Sequence, residues 1–158
     1  MVRPFERRDL ATVVNIANQA WRDIYRMFRS DYGDELFELM VPDEGTAKGE
    51  QVRAQCERHP DTVFVCEEEG QCVGFATFRL DRESGIGEIG NNGVADAWRS
   101  KGIGQQMYKA VLEHFRAQGM RFARVRTGLD EAHAPARRAY ERIGFDISHE
   151  DVDYYMKL

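Results

Sequence analysis

Three apolar, β-prone runs follow one another in the middle of the chain: TVFVC, CVGFATFRL and IGEIGNNGV. Only EEEGQ and DRESG separate them, and connections that short join antiparallel neighbours. Everything else must therefore pack around a sheet. Upstream, a short strand near Val2 precedes Asp9, a candidate N-cap, and a helix whose apolar residues Leu10, Val13, Val14, Ala17, Trp21 and Ile24 recur at helical spacing. YRMFRSDYGDELFELM reads as a loop with a short helix, and Thr46 to Arg58 as a further helix ended by Pro60. Downstream, Ile103, Met107, Val111, Leu112 and Phe115 line one face of a helix that Gly119 stops, and the strand RFARVRT follows. Pro135 opens a last helix carrying Ala136, Ala139, Tyr140 and Ile143 on one side, with Gly144 past its end. The tail FDISHEDVDYYMKL holds two short strand-like pieces. This order predicts an α+β fold with a central sheet flanked by helices.

At 158 residues the chain suits one compact domain with a real core. No repeat, low-complexity tract or linker divides it. Its net charge of −5 argues against a general nucleic-acid binder and leans toward a cationic substrate. The segment MVRPFERRDL lacks the apolar core of a signal peptide, and no run approaches a membrane span, so a soluble, cytoplasmic protein is expected. Cys56, Cys66 and Cys72 show neither a disulfide framework nor metal-ligand spacing, and no metal is expected.

Between the third strand of the central unit and the following helix lies RSKGIG, Arg99 to Gly104. Unpaired N–H groups and a partial positive charge at a helix N-terminus suit an anion, and Gly102 and Gly104 would admit it to the backbone. The same spacing also fits an ordinary helix-entry turn, which is the commoner case. A Walker loop is excluded because Gln105 and Gln106 stand where Lys and Ser or Thr are needed, and a Rossmann loop because Met107 replaces its third glycine.

Arg99, Gly102 and Gly104 match the signature of the GNAT superfamily of N-acetyltransferases, Gln or Arg, two residues, Gly, one residue, then Gly or Ala. ARRAYERIGF matches a second family motif through Ala136, Tyr140, Gly144 and Phe145. The chain thus resembles that superfamily over nearly its full length. The resemblance implies a single acetyltransferase domain over residues 1–158. It also implies a mixed, mostly antiparallel sheet of six to seven strands with about four helices, and acetyl-CoA as donor. The pyrophosphate would lie on the backbone of Arg99, Ser100, Lys101, Gly102, Ile103 and Gly104, and the pantetheine arm along Asn92 and Val94. Ala136 belongs to the same cofactor motif, and His133 stands where the family commonly has a cofactor-binding Asn. Tyr140 matches the tyrosine near the CoA sulfur and Glu88 a glutamate that serves as base in some members. From the residues alone, Tyr140 also reads as core packing and Glu88 as a polar strand residue.

In this family the acceptor site borders the first helices and the late strands, which maps to Trp21, Tyr25, Phe28 and Tyr32, with Tyr154 or Tyr155. Aromatics beside Asp31, Asp34 and Glu35 suit a cationic amine, although Trp21 and Tyr25 also fit as caps of the core. The implied activity is transfer of acetyl from acetyl-CoA to a primary amine, on a small molecule, a lysine or a peptide N-terminus. The implied partners are acetyl-CoA and that amine, without nucleic acid or membrane, and a homodimer is allowed. A non-catalytic acyl-CoA sensor or interaction module of the same fold is the alternative from another class, and a nucleotide-binding protein using the same loop is a third.

Overall fold

The computed structural model describes residues 1–158. Glu69 and Gly70 take φ values of 52° and 74°, the paired positive angles of a two-residue hairpin turn. They join β2 (Val63–Glu68) to β3 (Gln71–Asp81). The next turn leads into β4 (Ile86–Val94), antiparallel to β3. β1 (Val2–Pro4) pairs antiparallel with β2 on the far side, and β5 (Phe122–Val125) pairs parallel with β4. The order is therefore β1-β2-β3-β4-β5 in one sheet.

Side chains alternate across β3. Phe75 enters one buried cluster with Val13, Ile16 and Ala17 of α1 (Leu10–Met40) and Val52 and Cys56 of α2 (Ala47–Arg58). Ala76 and Phe78 enter the opposite cluster with Ile103, Met107, Val111 and Phe115 of α3 (Ile103–Ala117) and Tyr140 of α4 (Ala134–Arg142). β4 is approached closely from both sides, with no room for a Cβ at Gly87 and a tight fit at Gly93. A Cβ on Gly87 would lie 2.5 Å from the Phe115 ring, and one on Gly93 would lie 3.2 Å from Ile16 and Ala20.

The structure corrects four expectations. YRMFRSDYGDELFELM is helical rather than a loop with a short helix; α1 runs on to Met40 and breaks only at Gly33 (φ 75°, ψ 160°), a backbone shape that favours glycine. Asp9 precedes α1 without capping it by its side chain. Its buried carboxylate turns back to the Glu6 N–H at 2.9 Å and to Arg3 at 2.7 and 2.9 Å. The strand read as RFARVRT is paired only over Phe122–Val125. The tail forms no strand, so the sheet has five strands instead of six to seven, while the helices number four. Apolar residues in the tail, such as Ile147 and Val152, stay exposed, with Asp146, Glu150, Asp151 and Asp153 lying among them. No helix is long and apolar enough to cross a membrane.

Candidate active site

β5 pairs only with the first part of β4, from Ile86↔Phe122 to Ile89↔Val125. Beyond Ile89, β4 keeps β3 as its only strand neighbour, so the sheet opens as a wedge along Gly90–Val94. Just there β4 bulges. Ala76 pairs with Asn92 and Phe78 with Ile89, so Gly90 and Asn91 together oppose the single residue Thr77. A bulge bends its strand and re-aims the side chains after it.

Asn92 is the residue re-aimed into the wedge on the α3 side. Its Oδ1 accepts a hydrogen bond from the Tyr108 hydroxyl at 2.7 Å, and its Nδ2 donates to the Tyr140 hydroxyl at 3.3 Å. The two tyrosine rings meet at 5.0 Å, and both are buried. Burial pushes both phenols above their ordinary value, so each keeps its proton through neutral pH. One asparagine from the sheet thus fixes one tyrosine from α3 and one from α4. Tyr140 and Asn92, separate expectations from sequence, are brought into contact. Tyr108 escaped sequence reading; its signal was a hydroxyl beside Met107 on the buried face of the helix that RSKGIG opens.

The loop itself combines two left-handed residues. Gly102 has φ 81° as the N-cap of α3, and Ser100 has φ 62°, a conformation that costs a non-glycine residue on the order of 1 kcal/mol. No side chain caps α3, and its first intrahelical backbone bond runs from the Gln106 N–H to the Gly102 carbonyl. The N–H groups of Ile103, Gly104 and Gln105 are thus left as donors without an intrahelical acceptor. Ile103 turns its side chain into the core, so only its backbone faces the loop's task. The space around Gly102 is open. Arg99 is held by Asp96 at 3.0 Å, Lys101 lies over the Trp98 ring at 4.6 Å, and Ser100 is exposed. Gln19, Arg22, Asp23 and Arg26 of α1, with Asp96 and Arg99, line a polar cleft of about 340 Å³ beside this loop. Val94 ends β4 opposite Gly74 and packs partly against the α3 cluster, as Ala136 does from α4.

His133 is committed locally. Its Nδ1 lies 2.8 Å from both oxygens of Asp130, and its N–H donates to Asp130 at 3.0 Å. Burial would raise the Asp130 carboxyl, but these bonds outweigh it and hold the group below its ordinary value. Arg137 closes the same turn by donating to the carbonyls of Gly128 and Asp130. The geometry accounts for His133 as the anchor of the entry into α4.

Glu88 lies on β4 between two guanidiniums. Arg79 of β3 reaches its Oε2 at 2.8 Å and Arg124 of β5 at 3.6 Å, each across from it in the ladder. The aromatic stripe of α1 is split three ways. Trp21 sits under Lys48 of α2, with the ammonium 4.4 Å from the ring centre. Tyr25 is buried edge-on against Phe37, and burial raises its phenol. Phe28 stacks on Tyr32, which stacks on Tyr155 of the tail, while Tyr154 is exposed. Asp34 pairs with Arg29 and Glu35 with Lys157, which leaves Asp31 as the uncommitted carboxylate of that group.

The model of the acetyltransferase (GNAT) family matches residues 21–145. Mycothiol acetyltransferase of Streptomyces avermitilis is 30% identical over 95 residues, 60% of this chain and 30% of that protein. Its counterpart in Segniliparus rotundus is 30% identical over 72% of this chain and 45% of its own length. The chain therefore spans less than half the length of these curated relatives. Among solved structures, the PaiA N-acetyltransferase of Thermoplasma acidophilum in complex with coenzyme A superposes with a TM-score of 0.71 at 16% identity, over 96% of this chain and 92% of that one.

Proposed function

The chain belongs to the acetyltransferase (GNAT) family, and from that premise we propose that it transfers the acetyl group of acetyl-CoA to a primary amine by direct attack. The observation that carries this reading is the Tyr140 hydroxyl held by Asn92 where β4 parts from β5. The wedge along Gly90–Val94 receives the pantetheine arm, which pairs with β4 as an added strand would. The uncapped N-terminus of α3 receives the pyrophosphate on the N–H groups of the Arg99 to Gly104 loop, with Lys101 at its rim.

Transfer needs a free amine lone pair, a stabilised carbonyl oxygen and a leaving thiolate. An alkyl ammonium, with a pKa near 10, must first release its proton. Glu88 takes it through water on Oε1, the oxygen that the contacts of Arg79 and Arg124 leave open. The amine nitrogen then bonds to the thioester carbon, a β4 N–H near Val94 stabilises the oxygen as it gains charge, and the C–S bond breaks. Tyr140, kept protonated by burial, gives its proton to the departing sulfur, and the second proton that the acetylated nitrogen sheds as the amide forms restores the phenol.

Tyr140→Phe tests this. It should lower kcat by about tenfold to a hundredfold, at the low end for a general acid because a thiolate leaves readily, with acetyl-CoA affinity unchanged by calorimetry. A non-catalytic acyl-CoA module is the second reading, favoured by the two arginines on Glu88. It predicts acetyl-CoA binding with no amine-dependent thiol release, and release with any one amine excludes it. The acceptor named for the curated relatives is not carried over, since less than half of each of them is matched.

A further inference from the structure

Lys48 is a half-buried cation with no carboxylate partner. Its ammonium meets only neutral groups: Gln51 Oε1 at 2.6 Å, Asn91 Oδ1 at 3.3 Å and the Trp21 ring at 4.4 Å. Arg3 and Arg29, also of low exposure, are each matched by several carboxylates, Arg3 by Asp9 and Glu67, and Arg29 by Asp34, Glu38 and Glu44, while Arg137, which has none, spends its guanidinium on the backbone carbonyls of Gly128 and Asp130. Burial pushes the Lys48 ammonium down to about 8, the mark of a charge short of compensation. Its place is fixed by backbone: the Gly49 N–H donates to Asn18 Oδ1 at 2.6 Å, and a Cβ on Gly49 would collide with that side chain, so the first turn of α2 is pinned to α1.

Its level on the sheet matters as much. Asn91 and Asn92 are consecutive, so their side chains leave β4 on opposite faces. Asn92 holds Tyr140 on the α3 face, and Asn91 holds Lys48 on the α1 and α2 face. Lys48 therefore marks, from the acceptor side, the level at which Tyr140 stands on the donor side. Thr77, opposite the same bulge, carries a fully buried hydroxyl with no hydrogen-bond partner. It is a polar group at the level of the uncompensated Lys48 charge that the chain itself leaves unsatisfied.

We propose that Lys48, with Asn91 and Trp21, forms a subsite for a carboxylate on the acceptor, so that the preferred acceptors are primary amines that also bear a single negative charge. This rests on the acetyltransferase reading. One ammonium flanked by two amides suits a monoanionic carboxylate; a phosphate dianion would call for further cations or an arginine fork.

The test compares ω-amino acids of two to six carbons with their own carboxamides, as acceptors in a thiol-release assay with acetyl-CoA. The expected result is a preference in kcat/KM of about tenfold or more for the acid at one or more chain lengths. Lys48→Met should erase that preference while leaving acetyl-CoA affinity unchanged, and Lys48→Arg should retain much of it. A binding arm does not depend on turnover: in Trp98→Phe protein the sole tryptophan is Trp21, and its fluorescence should respond saturably to the acids, not the amides. Adding Lys48→Met should abolish the response. Carboxylate-selective binding without thiol release would leave the subsite standing and overturn the acetyltransferase reading. Thiol release with equal use of acids and amides, or a preference that survives Lys48→Met, would overturn the subsite.

Discussion

A single asparagine sets the geometry of the wedge. Asn92 spends its carbonyl on Tyr108 and its amide on Tyr140, so removing either partner leaves a polar group short inside a buried site. Tyr108→Phe should therefore cost about 1–3 kcal/mol in denaturant unfolding and should also lower kcat, because Asn92 is freed to turn away from Tyr140. Because burial raises the Tyr140 phenol, the high-pH limb of kcat that reports the acid should lie above the ordinary tyrosine value of about 10. Far from the wedge, burial would raise the Asp9 carboxyl, but Arg3 and the Glu6 N–H overcome that and hold it below its usual value. A carboxyl depressed on folding stabilises above its unfolded pKa of about 4, and the stabilisation is lost as pH falls through the folded value. Asp9→Asn should thus cost about 1.5–3 kcal/mol at pH 7, the range for a hydrogen bond to a charged group, and the gap to wild type should narrow by pH 3 in urea titrations.

At the scale of elements, glycines decide how closely helices approach β4. Gly87→Ala forces a Cβ against the Phe115 ring and should cost about 1–3 kcal/mol, read as a lower denaturation midpoint. Gly33→Ala, at the break in α1, should cost on the order of 1–3 kcal/mol because φ 75° with ψ 160° is nearly closed to a residue with a Cβ. The elements legible in the sequence were those whose signal was local. β4 was read with its observed bounds because turns flank it, and α3 was read from Ile103 because its apolar face recurs every three to four residues. From Tyr25 on, α1 reads in the sequence as a loop with a short helix because aromatics there pack on one another, Tyr25 on Phe37 and Phe28 on Tyr32, so no single apolar stripe marks the helix. Lys48 was invisible for a different reason: its significance lies in what does not face it, and only tertiary structure reveals a cation without a counter-charge. His133 was legible as a departure from a pattern, but its bond to Asp130, three residues back, takes shape only in the folded turn.

For the whole molecule, the central feature is a sheet whose fourth strand is half-paired. If the donor completes it, acetyl-CoA should raise the melting temperature, by an amount set by its concentration relative to Kd; at a hundredfold excess over Kd the gain is about 2.7 kcal/mol. Amides of Gly90 to Val94 and the first turn of α3 should gain hydrogen-exchange protection in the same titration, while those of β1 and β2 stay unchanged. An unpaired strand edge is also a hazard, because any extended chain can add to it, including the same strand of another copy. The wedge therefore gives the proposed donor a second role as a guard. Protein stripped of acyl-CoA should aggregate sooner on storage than protein saturated with it, and a desulfo analogue that cannot react should protect equally well.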